Sequence, residues 1–222
     1  MKKLSLVLMG AICLLTLQST GQSQQVEVGG TTFGVRAGIN FQNINGKDGF
    51  DHKLDNNLKT GFHFGVNAEI PVAPDFYVQP GLLFTTKGTK ADYDGDSKLN
   101  LSYLELPVNL LYKPTLGTGK LILGFGPYLA YGLGGKLKTD DGNMDVKFKS
   151  RVKMGDPEKQ YFKPFDAGAN FVAGYEFSNK FSAQLNAQLG LVDINSKYDG
   201  APDDTDARSA NTGFGVSVGY RF

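Results

Sequence analysis

Gly213-Phe214-Gly215-Val216-Ser217-Val218-Gly219-Tyr220-Arg221-Phe222 closes the sequence with strict period-two alternation. Phe214, Val216, Val218, Tyr220 and Phe222 fall on one face of a strand. Gly213, Gly215, Ser217, Gly219 and Arg221 fall on the other. A strand with one wholly apolar face and an aromatic last residue gains little from water. In a closed membrane sheet it gains much more, because pairing the last strand with the first removes both edges and lipid covers the outer face. The stretch predicts an all-β membrane barrel.

Working back through the chain, the same alternation recurs at about 32–41, 60–72, 76–87, 99–113, 120–133, 165–177 and 181–191. On the first of these Phe33, Val35, Ala37, Ile39 and Phe41 oppose Gly34, Arg36, Gly38 and Asn40. On the second Phe62, Phe64, Val66, Ala68 and Ile70 oppose Gly61, His63, Gly65, Asn67 and Glu69. With the closing strand this makes an eight-stranded antiparallel up-and-down transmembrane β-barrel, each strand near or above the roughly 9–11 residues that a tilted span needs. Short turns, such as Ala73-Pro74-Asp75 and Ser178-Asn179-Lys180, alternate with long polar connections at 42–59, 88–98, 134–164 and 192–211. That is the outer-membrane arrangement, with short turns on the periplasmic rim and long loops outside.

The aromatics supply an independent expectation. Phe33, Phe76, Tyr112, Phe177, Phe181, Tyr220 and Phe222 fall at the short-turn ends of their strands. Phe41, Phe62, Phe84, Tyr131, Phe165 and Phe214 fall at the long-loop ends. Phe33 to Phe41 would span about 20 Å of height at the usual rise and tilt, close to the apolar band of such a barrel. The two sets predict girdles at the two membrane interfaces.

The start of the chain reads as a secretory signal peptide, 1–21, with Lys2 and Lys3 before an uncharged apolar run and Ser19-Thr20-Gly21 at the cleavage end. A short lead, 22–31, precedes the barrel, 32–222. Cys13 lies inside the apolar run, so no cysteine remains in the mature chain. Removing Lys2 and Lys3 takes the formal charge from +1 to about −1, which invites no nucleic acid. The 29 glycines and 12% aromatics suit many strands and turns. The expected location is the bacterial outer membrane, with outer-membrane lipid as the first partner.

A soluble barrel of similar size would turn the apolar face inward and show water the other face. That face holds Gly, Ser, Asn and Gln with Arg36, Glu69, Glu105, Asp166, Glu176 and Arg221, and almost no lysine, which a solvated surface uses freely. The membrane reading is preferred, and the soluble, apolar-ligand-binding barrel is the alternative. Eight strands leave an interior that side chains can fill. The six charges are therefore expected to plug it as a polar network, with Arg36 and Arg221 each reaching a carboxylate. Two arginines against four acids leave a surplus, to be met by protonation or by a lysine at a strand end.

Chemistry beyond this is thin. His52 lies in the first long connection and His63 on the inner face; no serine sits in a nucleophile context, so no catalytic residue and no enzyme activity is expected. Asp92, Asp94 and Asp96 share the spacing of a calcium-loop start but lack its closing Glu, and Asp140-Asp141 and Asp203-Asp204 are similar solvated clusters. No metal or cofactor is expected. The third connection carries Lys136, Lys138, Lys147, Lys149, Arg151 and Lys153, and could bind a partner, a polysaccharide or lipid headgroups.

Several motifs carry a family resemblance: Val78-Gln79-Pro80-Gly81-Leu82-Leu83-Phe84 with Lys87-Gly88, Tyr103-Leu104-Glu105-Leu106-Pro107, Gly124-Phe125-Gly126-Pro127-Tyr128, and Phe165-Asp166-Ala167-Gly168 followed by Gly174-Tyr175-Glu176. In this order they resemble the outer-membrane β-barrel family common in Bacteroidetes, which includes PorT-like proteins. The resemblance implies the fold and location, and for PorT-like members a tie to protein secretion. The closing strand also resembles the signal by which the barrel-assembly machinery recognises its clients. Pro80, Pro107 and Pro127 lie within strands, where bulges are expected to accommodate them.

Overall fold

The computed structural model describes residues 29–47, 56–91, 97–140, 142–153, 159–199 and 208–222. The expected signal peptide, 1–21, and most of the 22–31 lead lie outside the described residues. Eight long strands form the barrel: β1 Thr32–Lys47, β2 Lys59–Ala73, β3 Phe76–Ala91, β4 Ser97–Tyr112, β5 Gly119–Thr139, β6 Phe165–Glu176, β7 Phe181–Gly190 and β8 Arg208–Arg221. Each pairs antiparallel with the next. β8 then pairs with β1, from Gly34↔Arg221 to Lys47↔Arg208, and closes the sheet. On the short-turn side Asp75, Gly117 and Lys180 each take a left-handed conformation, reversing the chain in a few residues.

The two faces decide which way out the barrel is. Val218 is 65% exposed, and Phe33, Phe64, Leu106, Phe125 and Leu185 likewise stand on the outer surface. Arg36, Glu69, Glu105 and Asp166 are buried inside. Water would be excluded from none of that apolar skin, so the soluble alternative is overturned: the apolar face points outward, where only lipid makes it stable. This lipid-facing part is the belt.

Above the belt the polarity inverts. On β1 the outward residues after Phe41 are Asn43, Asn45 and Lys47, while Ile44 points in and is buried. On β4 Lys98, Asn100 and Ser102 face out, and Leu99, Leu101 and Tyr103 face in. On β5 the change of phase needs a bulge. Tyr103 pairs with Gly132 but Ser102 pairs with Gly134, so the extra residue Leu133 swings Lys136 and Lys138 outward and Leu137 onto the interior cluster.

The strands therefore run well past their expected ends. Parts of the connections expected at 42–59, 88–98, 134–164 and 192–211 are strand: 42–47, 88–91, 97–98, 134–139 and 208–211. The expectation sought apolar residues facing out, and here they face in. The third connection is itself built. Gly142–Phe148 folds back on β5, Lys159–Phe162 adds to it in parallel, and Arg151–Lys153 pairs with Lys197–Asp199.

Bulges are also not where they were expected. Register is unbroken across Pro80, Pro107 and Pro127, and shifts instead between Pro71 and Ala73 and at Ser102/Tyr103.

Candidate functional site: the lumen and the crown

The lumen charges sit at two levels. At the short-turn end Glu69 of β2 is the hub. Lys113, just beyond β4, places Nζ 2.8 Å from Glu69 Oε2 and 2.7 Å from Glu176 Oε2. The Arg221 guanidinium donates to Glu69 Oε1 and, at 2.7 Å, to Asn67 Oδ1. Gln79 Nε2 donates to Glu69 Oε1 at 3.1 Å. The level gathers four strands around one carboxylate.

The second level centres on Lys87 of β3, fully buried. Its Nζ lies 2.9 Å from Glu105 Oε2 and 3.1 Å from Asp166 Oδ2. It also stands over the Tyr128 ring at 4.2 Å and the Tyr103 ring at 5.6 Å, where the π-faces add to the attraction. Asn211 Nδ2 donates to Asp166 Oδ2 at 2.9 Å, and Gln188 Nε2 donates to Glu105 Oε1 at 2.6 Å. Buried charges persist only when paired and hydrogen-bonded, and both carboxylates here are.

Between the levels lies Arg36, and it corrects one expectation. It reaches no carboxylate among the described residues. Its Nη1 donates to Gln184 Oε1 at 3.5 Å and Asn186 Oδ1 at 3.4 Å, both amide oxygens. Arg221 does reach one. The surplus of acids is met by Lys87 and Lys113, so within the belt the carboxylates Glu69, Glu105, Asp166 and Glu176 face Arg36, Lys87, Lys113 and Arg221. Lys59, buried at the outer end of β2, is a further inward cation and donates to the Thr60 carbonyl. The two lysines were readable. Lys87 shares the parity of Thr85, and Lys113 that of Asn109, on strands whose inner face had been identified.

Little space remains. The cavity lined by Arg36, Asn40, His63, Glu105 and Asn186 holds about 30 Å³, and a second near Arg221 and Glu176 about 10 Å³. Those volumes admit a water or two, not a solute path. His63 is buried at the first of them, without a nucleophile beside it among the described residues. His52 and Asp92, Asp94, Asp96, Asp203 and Asp204 lie outside the described residues. Among the described residues no three His, Cys, Asp or Glu side chains converge on a metal position.

Above the charges the mouth is closed by an apolar core. Ile44, Leu99, Leu101, Tyr103, Tyr128, Ala130, Val146, Phe162 and Ile194 form one buried cluster, with Leu137 and Phe148 packed on it. The cluster draws on β1, β4 and β5 and on both the third and fourth outer connections. Together with their hydrogen-bonded strands this is a folded crown.

The aromatics fall in contacting pairs at both ends of the belt. At the short-turn end Phe76 meets Tyr112 and Phe181 meets Tyr220, each pair 4.9 Å between ring centres, with Tyr220 against Phe222 at 5.4 Å and Tyr175 against Phe177 at 5.1 Å. At the outer end Phe41 meets Phe214 at 5.3 Å, Phe62 meets Phe84 at 5.9 Å, and Tyr131 meets Phe165 at 5.3 Å. Phe33 is exposed on the outer surface and its carbonyl accepts from the Phe222 amide.

With this architecture in hand the sequence matches the family described as outer membrane protein β-barrel domain, over residues 20–196. The chain belongs to that family. It is an integral protein of the bacterial outer membrane. No curated protein matches it. Among solved structures it is similar to Ail, the attachment invasion locus protein of Yersinia pestis, in complex with the heparin analogue sucrose octasulfate. That likeness has 15% identity and a TM-score of 0.42, over 87% of this chain and 100% of that one. A second Ail structure is similar at 11% identity and a TM-score of 0.39, with the same coverage.

Proposed function

We propose that this outer-membrane barrel is a non-conducting one that holds a rigid crown at the cell surface, with a structural or surface-binding role and no catalysis. The observation that carries the reading is closure of the lumen at two heights by different means. Charge-matched side chains fill it within the belt, and an apolar core fills it above. A barrel built to pass solutes needs a continuous polar path. One built to present its outer end in a fixed shape has reason to fill every level.

The test is reconstitution of the full chain in planar bilayers. Currents indistinguishable from the bare bilayer are expected. Unitary conductance steps that vanish when the protein is heat-unfolded would overturn the reading.

Within it, the aromatic pairs serve as interfacial girdles, and the lumen residues Arg36, Glu69, Glu105, Asp166, Glu176 and Arg221 act as the plug. Residues 1–21 are an export signal, removed before the 22–31 lead, so N-terminal sequencing of the membrane-extracted protein should begin near Gln22. The strand ending at Phe222 is the segment offered to the barrel-assembly machinery. An accessory role in protein secretion rests on the PorT-like motifs alone, and an unchanged secreted protein profile after deletion would remove it.

A further inference from the structure

We infer that the outward face of β3, β4 and β5 above the belt is a binding site for a phosphate-bearing glycolipid of the outer leaflet. The inference rests on the surface-binding reading and names its ligand class.

The register brings the lysines together. Lys90 pairs directly with Lys98, and Lys98 with Lys138, one row across three strands. In the row beneath, Gly88 pairs with Asn100 and Asn100 with Lys136. Lys90, Lys98, Lys138, Asn100 and Lys136 point outward, because the intervening Thr89 and Leu99 are buried and Leu137 packs on the crown core. Like charges directly opposite on paired strands repel, so a fixed anion beside the row is favourable. Lys98 already has an interaction partner, and Lys90, Lys136 and Lys138 are the cations that carry the site. The described carboxylate nearest in register is Asp145, opposite Lys136.

Height and direction favour a lipid. Between these rows and the aromatic rim stand Thr86 on β3, Ser102 on β4 and, at the β5 bulge, Gly134 and the exposed Leu133, whose side chain continues the apolar surface upward. Lys136 and Lys90 lie about 10 and 15 Å above the rim at the usual rise and tilt. Lysine side chains bend back along an apolar surface to place their charge at its edge, which brings both rows within reach of lipid phosphates. The face looks sideways, along the membrane. The connections that join these strands carry Asp92, Asp94, Asp96, Asp140 and Asp141 in sequence, a composition that disfavours a soluble polyanion. A lipid phosphate arrives from below and beside.

The lysines are densest in this sector. On the β8–β1 side the row four residues above Phe41, at the height of Lys136, is neutral, Asn45 opposite Ala210. The row six above, at the height of Lys90, holds the single pair Lys47 and Arg208 in place of three lysines.

The experiment uses the full chain in neutral phosphatidylcholine vesicles, with the unheated gel-mobility shift reporting barrel closure separately from binding. Diphosphorylated lipid A, its dephosphorylated form and free inorganic phosphate are titrated against the wild type and against K90Q/K136Q/K138Q, K90R/K136R/K138R and the opposite-sector pair K47Q/R208Q. The wild type, the arginine variant and the opposite-sector pair are expected to bind diphosphorylated lipid A alike. The glutamine variant should bind at least about tenfold more weakly while keeping its mobility shift. Equal binding of both lipid A forms would overturn the proposal, as would equal binding by the glutamine variant. Saturation by free phosphate at the same concentration would overturn the lipid as occupant, and a loss of the same size in K47Q/R208Q would overturn the location. Absence of the mobility shift in the wild type itself would instead strike at the barrel reading.

Discussion

Belt and crown are built from the same strands under opposite rules. In the belt Leu104, Leu106, Val108 and Leu110 of β4 face out, and Glu105 and Asn109 face in. A few residues away Lys98 and Asn100 face out, and Leu99 and Leu101 face in. The strand does not change and the hydrogen-bond ladder continues; the solvent changes. The turnover lies close above Phe41, Phe84 and Leu104 and marks the outer membrane surface residue by residue. Each region also solves its interior differently. The belt, whose lipid contacts supply no inward hydrophobic drive, fills its lumen with paired charge. The crown, surrounded by water, fills its own with apolar side chains as any soluble domain does.

The sharpest way to break the comparison is to attack the belt's interior. Lys87→Met removes the cation between Glu105 and Asp166 and leaves two carboxylates facing each other without their shared partner. A loss of about 3–5 kcal/mol is expected, read as a fall in the temperature at which the unheated gel form disappears. Adding Glu105→Gln and Asp166→Asn should recover much of it. Stability unchanged by Lys87→Met alone would mean that the charge pairing does not hold the lumen.

The matching attack on the crown is Leu101→Ala, at a fully buried position. The cavity should cost about 2–5 kcal/mol. Its signature should be local: faster protease cleavage of the outer connections with the mobility shift of the belt retained. Cleavage and shift lost together would make belt and crown one cooperative unit.

A pair of outward substitutions tests the boundary itself. Val108→Arg, in the middle of the β4 belt, should destabilise by about 2–4 kcal/mol in a bilayer, whereas Asn100→Arg on the same strand and face should change little. Equal costs would place the membrane surface elsewhere.

How far the sequence speaks follows the same division. The belt was legible because its strands alternate apolar with small or polar residues, and strand number, closure and inner face all follow from that pattern. The crown was not, for two physical reasons. On β1 and β4 the alternation continues but its phase relative to polarity reverses, so Asn43 to Lys47 and Ser97 to Lys98 looked like loop. On β5 the extra residue Leu133 breaks the parity, and no period-two reading carries Lys136 and Lys138 to the outer face across a bulge. The ion pairs show a similar limit. Parity identifies which charges enter the lumen, including the overlooked Lys87 and Lys113. Which charge meets which depends on the stagger of strands around the closed sheet, which alternation along one strand does not encode.

Arg36 is where that limit has the smallest energetic consequence. It was expected to hold a carboxylate, yet its Nη1 rests at 3.4 and 3.5 Å from two amide oxygens, and its Nε has no hydrogen-bond partner among the described residues. Both contacts are long, and each amide stays anchored through its nitrogen when the guanidinium goes, Gln184 Nε2 donating to Ser182 Oγ and Asn186 Nδ2 to Ser217 Oγ. Arg36→Gln keeps a donor at the site and removes a charge that no carboxylate contacts directly. The expected loss is about 1 kcal/mol, the scale of ordinary hydrogen bonds. Arg221→Gln should cost more, because Glu69 would lose one of its two cations. Melting of the unheated gel form measures both. Should Arg36→Gln prove the costlier of the two, the field of Glu105 across the small cavity, and not direct contact, would be what holds the middle of the lumen.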